Sequence, residues 1–211
     1  MRVSKLTFER PADVRSAIDA TGRAVVVWRD EDGLKWSFRA GLAGDWPNAR
    51  AVPGPRDVRS GSPVLEITPG GIATVAWVEI GTSGWQVGRS VVDLGTPQSG
   101  WSTDSVPHPV GALPTLAIDR EGDVGAIWAE VPPGASTGDL RAAVRPAAGD
   151  WQPATTLGTA AGGQLAVAAA GTAIAAWRSG DGYEVALKGP GSTWSPPESL
   201  PLSGRASWQG R

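Results

Sequence analysis

The sequence predicts an all-β fold, a β-propeller-type array of four four-stranded antiparallel repeats forming a partial or imperfectly closed ring. Three observations predict it. The first is a spacing: Gly22 to Trp28, Gly71 to Trp77, Gly122 to Trp128 and Gly171 to Trp177 are each six residues, while the four Trp anchors follow at intervals of 49, 51 and 49. A constant inner spacing inside a slightly variable outer one is what a repeated supersecondary unit with loop insertions produces. The second is the run before each anchor. Ala24-Val-Val-Val-Trp28, Ala73-Thr-Val-Ala-Trp77, Val124-Gly-Ala-Ile-Trp128 and Ala173-Ile-Ala-Ala-Trp177 are small or apolar at every position. A strand without apolar/polar alternation is buried on both faces, so the sheets must stack face to face. The third is composition: 18 Pro and 29 Gly leave no uninterrupted amphipathic stretch from which helices could cover those sheets. A stacked sandwich of hairpins is the alternative, and it accounts less well for equal repeat lengths.

In chain order, residues 1–15 read as a half-repeat whose Leu6-Thr-Phe8 is a closing strand, because Phe8 precedes Pro11 much as Trp151 precedes Pro153. Repeats follow at 16–62, 63–112, 113–162 and 163–203, and 204–211 begins a further one at Arg205-Ala-Ser-Trp208. Repeat one opens with a strand at Ala17-Ile-Asp19, turns at Ala20-Thr-Gly22 and enters the anchor strand. Glycine suits that turn because it accepts positive φ without steric cost. Leu34–Arg39 is the third strand, and a fourth lies near Trp46. The other repeats place their third strands at Trp85–Val92, Leu140–Arg145 and Tyr183–Lys188, and their fourth near Trp101, Trp151 and Trp194.

Several function classes fall away on composition. A net charge of −2 supplies no basic field for nucleic acid or an anionic membrane surface. The absence of Cys removes disulfides and thiolate metal sites. No apolar run is long enough for membrane insertion as a helix. The N-terminus, Met1-Arg-Val-Ser-Lys-Leu-Thr-Phe-Glu, lacks the apolar core of a signal peptide.

The pattern Ile118-Asp-x-x-Gly122 to Trp128, a basic strand, then Gly-Asp-Trp151-x-Pro resembles the Trp-rich repeats of bacterial sialidase-like β-propellers, and more loosely the fucose-binding propeller lectins. The resemblance spans nearly the whole chain and implies a secreted or cell-surface carbohydrate-binding propeller. Its motifs are structural punctuation. The Asp-box spacing of true sialidases is not kept: Asp19 and Asp119 stand three residues before Gly, and Thr68 and Ala168 replace the other two.

The anchors Trp28, Trp77, Trp128 and Trp177 read as wedges between blades, and Trp46, Trp101, Trp151 and Trp194 as packing after a turn. Trp36, Trp85 and Tyr183 are candidate ligand platforms, placed where the loop after each anchor re-enters the sheet, with Leu140 in the comparable place of repeat three. Arg39, Arg89, Arg145 and Lys188 close the third strands, where a contact with the next Trp is the expected structural role. Asp30, Glu79 and Glu130 stand two residues after the anchor, with Ser179 in repeat four. With Asp32, Asp139 and Asp181 they crowd one class of loop, read either as a solvated rim or as a polar ligand face. Asp30-Glu-Asp32-Gly33 lacks the later ligands and bidentate Glu of a calcium loop, so no metal or other cofactor is expected.

The expected function is a non-catalytic binding module recognising a glycan or protein on its loop face. Catalytic residues are not assigned. A sialidase-like glycoside hydrolase needs paired carboxylates and a Tyr nucleophile. Tyr183 and Glu184 are strand neighbours that point to opposite faces, and His108 sits between prolines in an apparent linker. That hydrolase, and a propeller fragment without independent function, are the alternatives. Half-repeats at both ends predict uncapped apolar faces on the terminal blades and hence self-association.

Overall fold

The computed structural model describes residues 12–54, 58, 63–81, 84–97, 100–110 and 113–200. The strands expected at Leu6–Phe8 and at Arg205–Trp208 lie outside them. The described chain contains four four-stranded antiparallel sheets and no α-helix. Blade 1 holds β1 (Ala12–Ile18), β2 (Ala24–Asp30), β3 (Gly33–Arg39) and β4 (Arg50–Ala51). Blade 2 holds β5 (Val64–Ile67), β6 (Ile72–Gly81), β7 (Gly84–Asp93) and β8 (Ser102–Val110). Blade 3 holds β9 (Thr115–Ile118), β10 (Val124–Glu130), β11 (Gly138–Arg145) and β12 (Thr155–Ala160). Blade 4 holds β13 (Gly163–Ala168), β14 (Thr172–Ser179), β15 (Gly182–Lys188) and β16 (Glu198–Ser199). Each blade is a meander in chain order, so the array is propeller-like as expected. Some elements differ from the sequence reading. β1 begins at Ala12 rather than Ala17, His108 lies in the outermost strand β8 rather than in a linker, and the fourth strands of blades 1, 3 and 4 begin four residues after Trp46, Trp151 and Trp194.

The turn joining the first two strands shows why the Gly–Trp spacing is constant. Gly22, Gly71, Gly122 and Gly171 have φ of 84°, 86°, 89° and 71°, the left-handed region that a Cβ disfavours. In the first three, the glycine N–H closes the turn on the carbonyl of Asp19, Thr68 or Asp119, at 3.0, 2.9 and 3.2 Å. In the fourth, Ala168 offers no side-chain acceptor, and the turn tightens into a 3-10 segment, Ala169–Gly171.

Three apolar cores separate the four blades. Val25, Val27 and Trp36 of blade 1 meet Leu65, Val75 and Trp77 of blade 2. Val87 of blade 2 meets Ala126 and Trp128 of blade 3. Ile127, Leu140 and Leu157 of blade 3 meet Ala175 and Trp177 of blade 4. In these three cores the anchor Trp points back to the preceding blade. The wedge is exacting at Trp77. Its cross-strand partner is Gly88, where a Cβ would come within 2.3 Å of the indole.

Polar ties run between blades beside these cores. The guanidinium of buried Arg89 donates to the carbonyls of Gly122 and Ala147 at 3.4 Å each. The carboxylate of buried Asp123 accepts from Ala147 N–H and from Gly171 N–H of blade 4, both at 2.6 Å. Arg89 therefore departs from the expected series. Arg39, Arg145 and Lys188 pair with the residue four before each anchor, whereas in blade 2 that place belongs to Val92. Lys188 is buried, donates to the Ser192 carbonyl and bridges through its backbone to Trp194. Burial pushes its ammonium below the ordinary lysine value.

The inner strands β1, β5, β9 and β13 pack in succession around an open central depression of about 370 Å³. Arg15, Glu66, Ala117 and Val167 contribute to its wall, one from each blade.

Candidate functional site

In a meander, the connections between the second and third strands share one end of the array. Asp30, Glu79, Glu130, Asp139, Asp181, Trp85 and Tyr183 all fall at or beside these connections. The structure gives several of them internal partners. The Trp77 indole N–H donates to Glu79 at 3.1 Å, and that of Trp128 donates to Glu130 at 3.3 Å. Glu130 also pairs with Arg141 at 2.9 Å. In blade 4, Ser179 is too short for this role. The Trp177 indole turns instead to Glu184, its cross-strand neighbour, at 2.9 Å. The shared feature is a carboxylate fixing each of these anchor rings.

Asp30 accepts from Asp32 N–H at 2.9 Å and lies 3.8 Å from the Lys35 ammonium. Asp139 and Asp181 are exposed, and the Tyr183 ring is 48% exposed. Trp85 is half-buried against the core that holds Trp128, a core that Trp151 also packs against.

Trp36 is not at a loop mouth. Pairing shows that Leu34, Val87, Leu140 and Tyr183 are the equivalent positions, because each faces the residue after its anchor. Trp36 lies two residues further in and Trp85 two residues earlier. Trp36 is only 3% exposed, with its ring edge-on to Trp101 at 5.2 Å. Its removal should therefore cost about as much as the removal of an anchor Trp. Among the Trp residues that precede the fourth strands, Trp101 is buried and Trp151 and Trp194 are half-buried, whereas Trp46 is exposed.

What Trp36 does reach is a pocket of about 180 Å³ at the outer edge between blades 1 and 2. Trp36 and Phe38, two apart on β3 and so on one face, have ring centroids 6.5 Å apart. Pro47, Asn48 and Arg50 of blade 1 and Pro97 of blade 2 complete its lining. Ser37 holds the loop by donating to the Pro47 carbonyl at 2.9 Å. Arg50 is the only charged residue among the described residues of this lining, so the pocket combines aromatic edges with cationic and amide donors. The strand spacing of Trp36 and Phe38 was visible in the sequence. Their meeting with Arg50 and Pro97 was not, because it joins segments from two blades.

At the opposite end, two turns carry the most perturbed carboxylates. Asp19 accepts from Thr21 N–H at 2.9 Å, Thr21 Oγ at 2.7 Å, Arg23 N–H at 3.0 Å and Arg23 Nε at 2.6 Å. Burial alone would raise its pKa, but these bonds together outweigh it and hold the carboxyl down at about 2. Asp119 accepts on Oδ1 from Glu121 N–H at 3.0 Å and Asp123 N–H at 2.8 Å. Its Oδ2 is buried with no hydrogen bond. Burial first, and the charge of Asp123 after it, push the Asp119 carboxyl above its ordinary value, against the backbone bonds. Both carboxylates serve the turn.

No protein-family model matches the chain, and no curated protein matches it. Among solved structures it is similar to the crystal structure of xylan beta-1,4-xylosidase from Bacillus halodurans C-125, at 12% identity and a TM-score of 0.46. The match covers 92% of this chain and spans 42% of that enzyme's length. At that level of likeness, neither an activity nor a substrate is carried across to this chain.

Proposed function

We propose that this chain is a non-catalytic recognition module that binds a glycan, with the Trp36–Phe38 pocket as its contact. The observation that carries the reading is that lining: two aromatic edges, two prolines and the polar groups of Ser37, Asn48 and Arg50. Sugar rings present apolar C–H faces between hydroxyl groups, which suits aromatic edges flanked by a few fixed donors. The non-catalytic part rests on how the carboxylates are used. Glu79, Glu130 and Glu184 bind indole N–H groups, while Asp123 binds backbone N–H groups.

A glycan array followed by calorimetry on the best ligand tests the proposal. Arg50→Ala and Asn48→Ala should each weaken binding about tenfold, or ~1.4 kcal/mol, with the fold unchanged. Binding that ignores both substitutions, or release of sugar from an aryl glycoside, would sink it.

A further inference from the structure

We infer that the sugar taken by the Trp36–Phe38 pocket carries an anionic group, a carboxylate or a sulfate ester, held by Arg50. The inference rests on the glycan reading and deepens it by naming the class of ligand. Its first support is the way the molecule uses its arginines. Arg23, Arg29 and Arg141 are paired with Asp19, Asp13 and Glu130 at 2.6, 2.9 and 2.9 Å. Arg39 and Arg178 donate to the carbonyls of Leu42 and Gly180. The Arg50 guanidinium has neither kind of partner among the described residues, and the described lining around it holds no carboxylate. Arg120 is alike in lacking a partner, but it stands on an exposed turn outside the pocket.

The second support is placement. β4 pairs with β3 so that Arg50 lies directly across from Trp36. Residues directly opposed in an antiparallel pair stand on the same face, with Cβ atoms about 5 Å apart. The exposed guanidinium therefore rises beside the aromatic floor. The backbone beneath it is fixed on both sides. Ser37 holds Pro47 before it, and after it the Val52 N–H donates to the Leu34 carbonyl at 2.8 Å. The Pro53 carbonyl accepts from the Thr103 hydroxyl of blade 2, also at 2.8 Å. A donor fork presented by a tethered strand loses little freedom when a ligand arrives.

The third support is the energetics of covering that charge. In the free protein the fork is hydrated. A sugar ring seated against Trp36 and Phe38 displaces part of that water. A neutral sugar returns only hydroxyl oxygens to a full positive charge. A carboxylate or sulfate returns two charged oxygens in the geometry that a guanidinium fork matches. Specificity is the difference between those two outcomes, and here it favours the acid.

Calorimetry with the methyl glycosides of glucose and galactose, and with the uronic acid and the primary-hydroxyl sulfate of each, tests it. In at least one of the two series an anionic member should bind about tenfold tighter than its neutral parent. Which anionic member wins tells carboxylate from sulfate. Added salt should weaken that ligand and leave the parent unmoved. Arg50→Gln should bring the two within about twofold, with an unchanged circular dichroism spectrum, and Arg50→Lys should restore part of the gap. Asn48→Ala should weaken both alike. Neutral parents that bind as tightly as their anionic forms, or a gap that survives Arg50→Gln, overturn the inference and leave the glycan reading standing. No binding by any of these sugars overturns both.

Discussion

The turns at Asp19 and Asp119 have the same Asp-x-x-Gly sequence, the same backbone closure and nearly the same glycine φ, yet their carboxyls are perturbed in opposite directions. Asp19 has Arg23 on its second oxygen. Asp119 has a second carboxylate, Asp123, four residues away, and leaves its own Oδ2 unbonded inside the protein. The position after Gly decides the matter. It holds Arg in repeat one and Asp in repeat three, and the latter residue reaches over to the next blade. Equal local motifs are thus put to different uses: one ties down its own turn, the other is burdened by a neighbour that ties two blades together.

The largest effect that would break this comparison is expected at Asp123. Asp123→Ala strands the N–H groups of Ala147 and Gly171 and should destabilise by about 3 kcal/mol, read from urea midpoints. A loss below about 1 kcal/mol would mean that the tie between blades 3 and 4 is not made. Next comes Asp19→Ala, at about 2 kcal/mol near neutral pH, because an ionised acceptor of several bonds is removed. The sign of its pH dependence follows from a carboxyl held low. Its contribution is full above the ordinary value of 3.8 and disappears as the pH falls through about 2. The gap between parent and variant should close over that window.

Gly22→Ala and Gly122→Ala should each cost about 1 kcal/mol, since both glycines have positive φ. A large inequality between them would show that the two backbones are not alike. The smallest effect is expected at Asp119→Asn, within about 0.5 kcal/mol at neutral pH. Here the sign is reversed. A carboxyl raised above its ordinary value stabilises the fold below the unfolded-state pKa and loses that advantage as pH rises through the folded value. The parent should therefore gain on the Asn variant as the solution is acidified.

The sequence made the blades legible because Gly and Trp meet rigid demands: one must take positive φ, the other must fill a gap between sheets. Those demands are local and recur, so spacing exposes them. Register in the third strands was harder. Around Trp36 both Leu34 and Trp36 are apolar, and only the pairing of Leu34 with Arg29 decides which of them follows the anchor. The convergence of Arg50 with Pro97, and the opposite states of Asp19 and Asp119, depend on neighbours from other segments. No single-strand pattern carries that information.

The outermost strands bear on how copies of this chain can meet. Two of them, β4 and β16, have only two residues each, too few to template another strand. β8 is nine residues long, but it bulges: Val106 pairs with Val87 and Val110 with Trp85, and between them stand Pro107, His108 and Pro109. Proline has no N–H to donate, and a bulge interrupts the flat row of groups that a new strand would join. Three of the four rims are thus closed to fibril-like growth by strand addition. The remaining outer strand, β12, has six residues and no proline, and its own pairing with β11 is interrupted at Leu157.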